Sequence, residues 1–146
     1  MERREEQEVL GFKMKRIVEE VERMANQAVA PQGLTFAQGR IILYVCEHGG
    51  RCSQSEIETV LATSHQAVSG ILSRMKEKGL LDYAFDGNDR RVKNVYMTAK
   101  GEELYDGLVD VRHEYDHRME HVLAPEERKH LFAMLDRVFE HLHDDI

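Results

Sequence analysis

The sequence of 146 residues contains no tryptophan, two prolines and two cysteines. Cys46 and Cys52 fit neither a disulfide framework nor a zinc-binding pattern, which agrees with a reducing compartment. No apolar run approaches the roughly 20 residues that a membrane-spanning helix requires. The first ten residues, MERREEQEVL, mix both charges and lack the apolar centre of a secretory signal. We therefore expect a cytoplasmic protein that does not span a membrane.

Charge is unevenly distributed along this acidic chain, whose net charge is −7. Residues 51–100 carry 8 basic and 6 acidic side chains, whereas residues 1–50 carry 7 and 8, and residues 101–146 carry 5 and 13. Attraction to DNA acts within a Debye length of about 8 Å at physiological salt, so the local charge decides it. We expect salt-sensitive DNA binding by the central third of the chain.

Helical patterns lead into this central region. Apolar residues recur at spacings of three and four near the start of the chain, which predicts a helix from about Glu2 to Ala28. Three further helices are predicted from capping boxes, in which Ser or Thr is followed three residues later by Gln or Glu. These boxes are Thr35–Gln38, Ser53–Glu56 and Thr63–Gln66.

The helix predicted over Ser64–Lys78 has two contrasting faces. Its apolar stripe consists of Val68, Ile71, Leu72 and Met75. The opposite face carries small polar groups and a few longer donors, namely Ser64, His65, Gln66, Ser69, Gly70, Ser73 and Arg74. Such a face can enter a major groove and hydrogen-bond to base edges and phosphates. An ordinary solvated helix face is the alternative, against which the neighbouring elements argue.

Residues Gly79–Gly101 are predicted to form a β-hairpin with a basic end. Two runs rich in apolar and aromatic residues flank the polar tip Asp86–Arg91. Arg90 and Arg91 can reach a minor groove, where a narrow A·T tract concentrates negative potential. We expect Asp89 to hold an arginine side chain through a charge-assisted hydrogen bond. A basic hairpin that follows a helix pair predicts a DNA-binding regulator.

From about Leu34 onward the chain resembles the MarR family of winged helix-turn-helix bacterial transcription regulators. The resemblance rests on Leu34-Thr35-x-x-Gln38, Gly79-Leu80-Leu81, Asp89-Arg90-Arg91, Val95-Tyr96-Met97-Thr98-x-Lys100-Gly101 and Leu123-Ala124-Pro125-Glu126-Glu127. It implies a mostly α, winged-helix (α+β) fold and a homodimer formed by the terminal helices. It also implies a repressor that binds a palindromic operator and is released by an effector, either a small molecule or a metal ion. Carried over by position, Ser64–Arg74 is the recognition surface and Asp89–Lys93, including Lys93 itself, is the wing.

We interpret residues 1–146 as one domain that has no cofactor and is not an enzyme. Residues 35–98 are expected to form the winged core, and residues 1–30 and 99–146 a helical dimerisation region. Independently of the family, helices predicted over residues 98–121 and from Pro125 onward carry long apolar stripes. These stripes exceed what a small winged helix needs to cover itself, and a symmetric dimer would bury the surplus. The MarR family favours Ser or Thr where Ala124 stands, so by this resemblance the last helix is expected to lack its N-cap, a loss of about 1 kcal/mol.

Two features leave other functions open. His113-Glu114-Tyr115-Asp116-His117 matches the H-E-x-x-H pattern of helical zinc sites, and His121 continues the spacing. The alternative function is therefore a metal-binding helical protein or a metal-dependent hydrolase that uses His113, His117 and His121. A solvated histidine-rich face is the competing interpretation, and we assign no metal site. Cys52, in a predicted loop beside Arg51, is a candidate for oxidation, although no redox site is assigned.

Overall fold

A computed structural model describes residue 5 and residues 8–144 of the protein. The chain divides into two compact units, which meet within one helix between Arg112 and His113. The elements of the first unit are α1 (Leu10–Val29), a 3-10 turn (Ala30–Gln32), α2 (Phe36–Glu47), β1 (Arg51–Ser53), α3 (Gln54–Leu61), α4 (His65–Glu77), β2 (Leu81–Phe85), β3 (Lys93–Met97) and α5 (Ala99–Glu102). Helix α6 (Tyr105–Glu120) crosses the division, and α7 (Pro125–Asp144) lies in the second unit. None of the described helices has the length and hydropathy to cross a membrane.

The three strands form one antiparallel sheet in the order β1-β3-β2. The predicted hairpin is confirmed, with Leu81 opposite Met97 and Phe85 opposite Lys93. Strand β1 was not predicted, because its three residues acquire their extended form by pairing with β3. Cys52 lies in this strand opposite Val95, so the predicted loop at Cys52 is wrong.

The hydrophobic core lies between α2, α3, α4 and the sheet. Its most completely buried large side chains are Ile41, Ile42, Val45, Ile57, Val68, Leu72, Met75, Leu81 and Val95. Burying one such side chain contributes about 1.5–3 kcal/mol, so the apolar stripe of α4 fixes the rotation of this helix. The polar face predicted for α4 is thereby directed away from the core.

The capping box predicted for α2 is confirmed. The Thr35 hydroxyl accepts a hydrogen bond from the Gln38 amide at 3.2 Å, and the Gln38 carbonyl oxygen Oε1 accepts one from the Thr35 amide at 3.1 Å. The Ser53 hydroxyl caps α3 by accepting a bond from the Glu56 amide at 3.2 Å, which is one half of the capping box predicted there. Reciprocal bonds satisfy two of the amides that a helix start leaves without partners.

Two predicted helix starts are wrong. Helix α4 is capped by Ser64 rather than Thr63, because Ser64 has the extended backbone and its hydroxyl accepts from the Ala67 amide at 3.2 Å. Helix α1 begins at Leu10, because Val9 before it is extended and its side chain supplies no cap. The rest of the predicted start, at residues 2–4, 6 and 7, lies outside the described residues.

The single helix predicted over residues 98–121 is divided into α5 and α6. The Leu104 amide donates to the Gly101 carbonyl at 3.1 Å, a tighter i to i−3 bond that ends α5. Gly101 is buried, and a Cβ added there would overlap the Leu80 carbonyl oxygen and the Met97 sulfur. Close packing of this turn against the start of β2 therefore sets the interruption.

Helix α7 begins at Pro125, as predicted. The Glu127 carboxylate accepts a hydrogen bond from the Ala124 amide at 2.9 Å, which supplies half of a capping box where Ala124 has no side-chain acceptor. Several large apolar side chains of α7 are exposed. They are Leu131, Phe132, Met134, Phe139 and Leu142, of which Phe139 is 69% exposed.

Candidate nucleic-acid interface

Helix α4 ends in a turn that leads directly into the hairpin. Gly79 has a φ of +74°, a conformation that glycine adopts without strain. Its amide donates to the Lys76 carbonyl at 2.9 Å, and the Leu80 amide donates to the Met75 carbonyl at 3.0 Å. This pair of bonds is a Schellman motif, which satisfies the last carbonyls of the helix.

Lys78, at the end of α4, joins three parts of the first unit. Its ammonium group donates to the Gly33 carbonyl at 2.6 Å and to Gln38 Oε1 at 3.1 Å. The Lys100 ammonium group donates in turn to the Lys78 carbonyl at 2.8 Å. The start of α2 and the start of α5 are therefore both bonded to the end of α4.

The exposed side of α4 brings six predicted residues together on a surface that we call the recognition face. It consists of His65, Gln66, Ser69, Gly70, Ser73 and Arg74, with Ser69 and Gly70 half-buried. Ser64 lies at its start and serves as the N-cap. A Cβ added at Gly70 would approach only the Arg74 guanidinium, at 3.6 Å, so this glycine leaves the middle of the face open.

Two residues of the recognition face are bonded to α3. The His65 Nδ1 lies 2.5 Å from the Glu58 Oε1, and the Gln54 side-chain nitrogen Nε2 donates to the Ser69 hydroxyl oxygen at 2.8 Å. Gln54 is buried, whereas His65 is exposed. Sequence reasoning did not find Gln54 or Glu58, because neither residue belongs to a recognisable motif.

At the hairpin tip, Asp89 holds Arg91 as predicted. One Asp89 carboxylate oxygen accepts from the Arg91 amide at 3.0 Å and from Arg91 Nε at 3.1 Å, and the other accepts from Nη2 at 3.3 Å. The Arg91 side chain, followed by the Arg91 amide, holds the pKa of Asp89 below its usual range. Arg90 is exposed and makes no hydrogen bond or ion pair within the described part of the chain.

A second carboxylate, that of Asp86, forms hydrogen bonds within the hairpin. Asp86 accepts from the Asn88 amide at 2.8 Å and from the side chain of the buried Asn94 at 3.2 Å. These bonds, first that from Asn88, lower the pKa of Asp86. The tip is an Asx turn that is bonded to β3 through Asn94. The backbone that carries Arg90 and Arg91 is therefore held in place.

Further cations lie over the aromatic rings of the hairpin strands. The ammonium groups of Lys76 and Lys93 each lie 4.5 Å from the centre of the Tyr83 ring. Lys76 also pairs with Asp82 at 3.1 Å, which lowers the pKa of Asp82. Arg51 lies over Tyr96 at 5.7 Å on the unpredicted strand β1. Lys93 was predicted as part of the wing and Lys76 at the edge of the polar face of α4. Arg51 was not predicted, because the pairing of β1 with β3 brings it to the hairpin.

The remaining candidates lie outside this surface. His117 and His121 stack at 5.7 Å, but across residue 5 and residues 8–144 no three His, Cys, Asp or Glu side chains are placed to hold a metal ion. Cys52 is 6% exposed, and burial raises its pKa to about 11. A reactive cysteine needs an exposed, stabilised thiolate, which this environment opposes.

A small cavity of about 310 Å³ is lined by five residues of the first unit, namely Cys46, Gly49, Gly50, Glu102 and Tyr105. Burial, followed by the charge of Glu102, raises the pKa of the Cys46 thiol. The volume is at the lower end of the range for small-molecule sites.

A capped helix pair, a polar helix face and an adjoining basic hairpin together define a winged helix-turn-helix protein. Residues 32–92, which contain all three features, match the model of the MarR family. The chain belongs to the MarR family and is a DNA-binding transcription regulator, as the sequence predicted.

Individual relatives agree with this assignment. The transcriptional repressor IacR of Pseudomonas putida is 32% identical over 101 residues, which are 69% of this chain and 60% of IacR. The fold is similar to that of S. aureus MepR in complex with DNA, with a TM-score of 0.84, 24% identity, and coverage of 92% of this chain and 98% of MepR. It is also similar to Bordetella bronchiseptica BpsR, with a TM-score of 0.80, 24% identity, and coverage of 94% and 97%. That structure concerns how 6-hydroxynicotinic acid regulates DNA binding by BpsR.

Proposed function

We propose that the protein is a cytoplasmic repressor that binds a palindromic operator as a homodimer and is released by an effector. The recognition face of α4 reads the major groove, and Arg90 and Arg91 contact the adjacent minor groove. The observation that carries this proposal is the wing tip, where Asp86 and Asp89 fix the backbone of a turn that exposes Arg90 and Arg91 side by side in the chain. A turn can form without an arginine pair, whereas arginine side chains are well suited to contacts in a minor groove.

Exposed apolar side chains support the homodimer. In the first unit, Ile17 and Val18 of α1 are 59% and 54% exposed, and in the second unit α7 exposes Phe139 and Leu142. A two-fold interface that buries such side chains places two recognition helices about one DNA turn apart, roughly 34 Å. The two-fold symmetry requires two half-sites of opposite orientation, which is a palindrome.

Repression and release are supported by the relatives. IacR is a repressor, and DNA binding by BpsR is regulated by 6-hydroxynicotinic acid. In this chain, the cavity beside Cys46 and Tyr105 offers space for a small effector. Glu102 in its wall favours a ligand with a hydrogen-bond donor or a positive charge.

Fluorescence anisotropy with a duplex from upstream of the protein's own gene tests the proposal. We expect selective binding relative to a scrambled duplex and a steep decrease in affinity with salt. Arg90→Ala should weaken binding to both duplexes and reduce the salt slope by about 1, the amount expected for one phosphate contact. Lys129→Ala, which removes an exposed cation of α7, is the matched control and should leave the slope unchanged.

The same titration separates the effectors. Adding small molecules that carry a positive charge or hydrogen-bond donors should lower operator affinity if one of them fits the cavity beside Glu102, and added zinc should change nothing because the described histidines form no metal site. Wild-type protein that does not distinguish the two duplexes would contradict the proposed function. Release by zinc would instead support the histidine face of α6 as the effector site.

A further inference from the structure

A buried amide stands at the first residue of α3, next to the recognition helix. Gln54 is 3% exposed, and its Oε1 has no hydrogen-bond partner among the residues that the structure describes. An unpaired buried oxygen destabilises a fold, and an apolar side chain of similar size would avoid that loss. Core packing alone therefore gives no reason for an amide at this position.

The nitrogen of the same amide is fully engaged with the recognition helix and its neighbour. Gln54 Nε2 lies 2.8 Å from the Ser69 hydroxyl oxygen and 3.3 Å from Glu58 Oε1. An amide nitrogen only donates, so the Ser69 oxygen is an acceptor in this bond. The hydroxyl hydrogen of Ser69 remains available to donate to a group outside the helix.

Glu58 fixes His65 in a comparable way. His65 Nδ1 lies 2.5 Å from the Glu58 carboxylate, which only accepts, and 3.2 Å from Gln54 Nε2, which only donates. The carboxylate is the much closer and charged partner, so Nδ1 carries the proton. In the neutral imidazole the other ring nitrogen, Nε2, is then an acceptor. The His65 side chain is 72% exposed, so this acceptor is accessible from solvent.

We propose that Gln54 and Glu58 are positioning residues for sequence readout, which set Ser69 as a donor and His65 as an acceptor on the recognition face. This inference rests on the proposed function, because it assumes that α4 contacts base edges. A donor matches a purine N7, guanine O6 or thymine O4, and an acceptor matches the amino group of adenine or cytosine. Gln54 and Glu58 would thus determine sequence preference without contacting DNA.

Gln54→Leu tests the first half of the proposal. Operator affinity should fall about tenfold, the effect of losing one good base contact, whereas affinity for a scrambled duplex should stay within about twofold because phosphate contacts are untouched. The thermal midpoint of the variant should change little, since leucine removes the unpaired oxygen together with the hydrogen bonds of Nε2. Equal weakening on both duplexes would mean that Gln54 only supports the fold and would overturn the proposal.

A double-mutant cycle shows whether Gln54 acts through Ser69. Gln54→Leu combined with Ser69→Ala should weaken operator binding no more than the larger single effect, because both remove the same contact. Ser73→Ala lies one turn further along the same face, and its effect should multiply with that of Gln54→Leu. If the effect of Gln54→Leu multiplied with that of Ser69→Ala as it does with that of Ser73→Ala, Gln54 would not act through Ser69.

Glu58→Gln tests the second half at a partly exposed position where folding is not at risk. Nitrogen-15 NMR of the free wild-type protein should show the His65 proton on Nδ1, and in Glu58→Gln it should spread to Nε2, with lower operator selectivity. A wild-type proton on Nε2, or unchanged selectivity in the variant, would overturn the proposal. If wild-type protein bound the operator and scrambled duplexes equally, the proposed function itself would be refuted. This measurement comes before any variant is made, so the two failures are distinguishable.

Discussion

At the scale of single residues, the wing tip shows how a negative charge can serve binding to a polyanion. Asp89 uses both carboxylate oxygens on Arg91. Ordering a long side chain before binding avoids about 0.5–1.5 kcal/mol of entropy loss on association. The repulsion between Asp89 and phosphate is partly screened at this exposed position.

Asp89→Ala should therefore weaken DNA binding, although it removes a negative charge from the interface. We expect operator affinity to fall about threefold to tenfold, because Arg91 loses its fixed orientation. Anisotropy at constant salt measures the change, with Asp106→Ala in α6 as a control for the loss of one exposed carboxylate. Tighter binding by Asp89→Ala would show that net charge outweighs orientation.

Local chemistry made several single residues predictable from the sequence. The Thr35 cap follows from a four-residue pattern, and the role of Asp89 follows from the charges beside it. Gln54 and Glu58 were not predictable, since their partners His65 and Ser69 lie 7 to 15 residues away along the chain. The Ser64 cap was missed by one residue because Thr63 offers the same hydroxyl chemistry.

At the scale of elements, the hairpin tip depends on ionised carboxylates. Hydrogen bonds lower the pKa of Asp86 and Asp89, so each stabilises the fold above the unfolded pKa of about 3.9. This contribution is lost as the pH falls through the still lower folded value. The tip should consequently loosen in acid while remaining unchanged through the neutral range.

Amide NMR between pH 6 and pH 2 tests this dependence. The Asn88 and Arg91 amide signals should stay constant down to about pH 4 and shift below it. Asp86→Asn keeps an acceptor oxygen that cannot ionise, so its Asn88 signal should no longer follow the pH. A shift centred above pH 5 would contradict the assignment to these carboxylates.

Gly101 fixes the junction between the hairpin and the following helices. Gly101→Ala should destabilise the protein by about 3 kcal/mol, because the added Cβ meets the Leu80 backbone, which cannot rotate away. Chemical denaturation measures the change. Gly11→Ala in α1 is the matched control, since open space surrounds it and the variant should gain up to about 1 kcal/mol. Equal stability of the two variants would contradict close packing at Gly101.

Elements with strong local patterns were predicted well, and those that depend on distant partners were not. Helices α2, α4 and α7 and the β2–β3 hairpin have apolar periodicity, caps or turn residues of their own. Strand β1 has only three residues and is extended because it pairs with β3. The helix is interrupted before α6 because Gly101 packs closely against Leu80. Tertiary contacts of this kind leave no periodic trace in the sequence.

At the scale of the whole molecule, the proposed dimer should depend on the apolar side of α7. Phe139→Glu together with Leu142→Glu should halve the mass measured by light scattering, because two charges would be buried at the interface. Operator affinity should fall by about 100-fold or more, since the half-sites would be bound separately.

The control for this prediction is Ala133→Glu. Ala133 is exposed on the same helix but lies on the side away from the apolar residues, so this variant adds a charge without entering the interface. It should remain dimeric and bind the operator like the wild type. A dimeric Phe139→Glu, Leu142→Glu variant would place the interface elsewhere.

The hydrogen bonds of Lys78 hold one end of α4, so this end is the point about which the helix would rotate. The end of α4 is bonded to Gly33, Gln38 and Lys100, whereas His65 lies at the opposite end of a 13-residue helix, about 20 Å away at about 1.5 Å per residue. A rotation of about 5° at the pivot moves the far end by about 1.7 Å over that lever arm. This distance is enough to break a hydrogen bond to a base. Because Glu58 holds His65, α3 would have to move together with this end of α4. A very small displacement of α5 at Lys100, passed on through both helices, would then remove the proposed readout at His65.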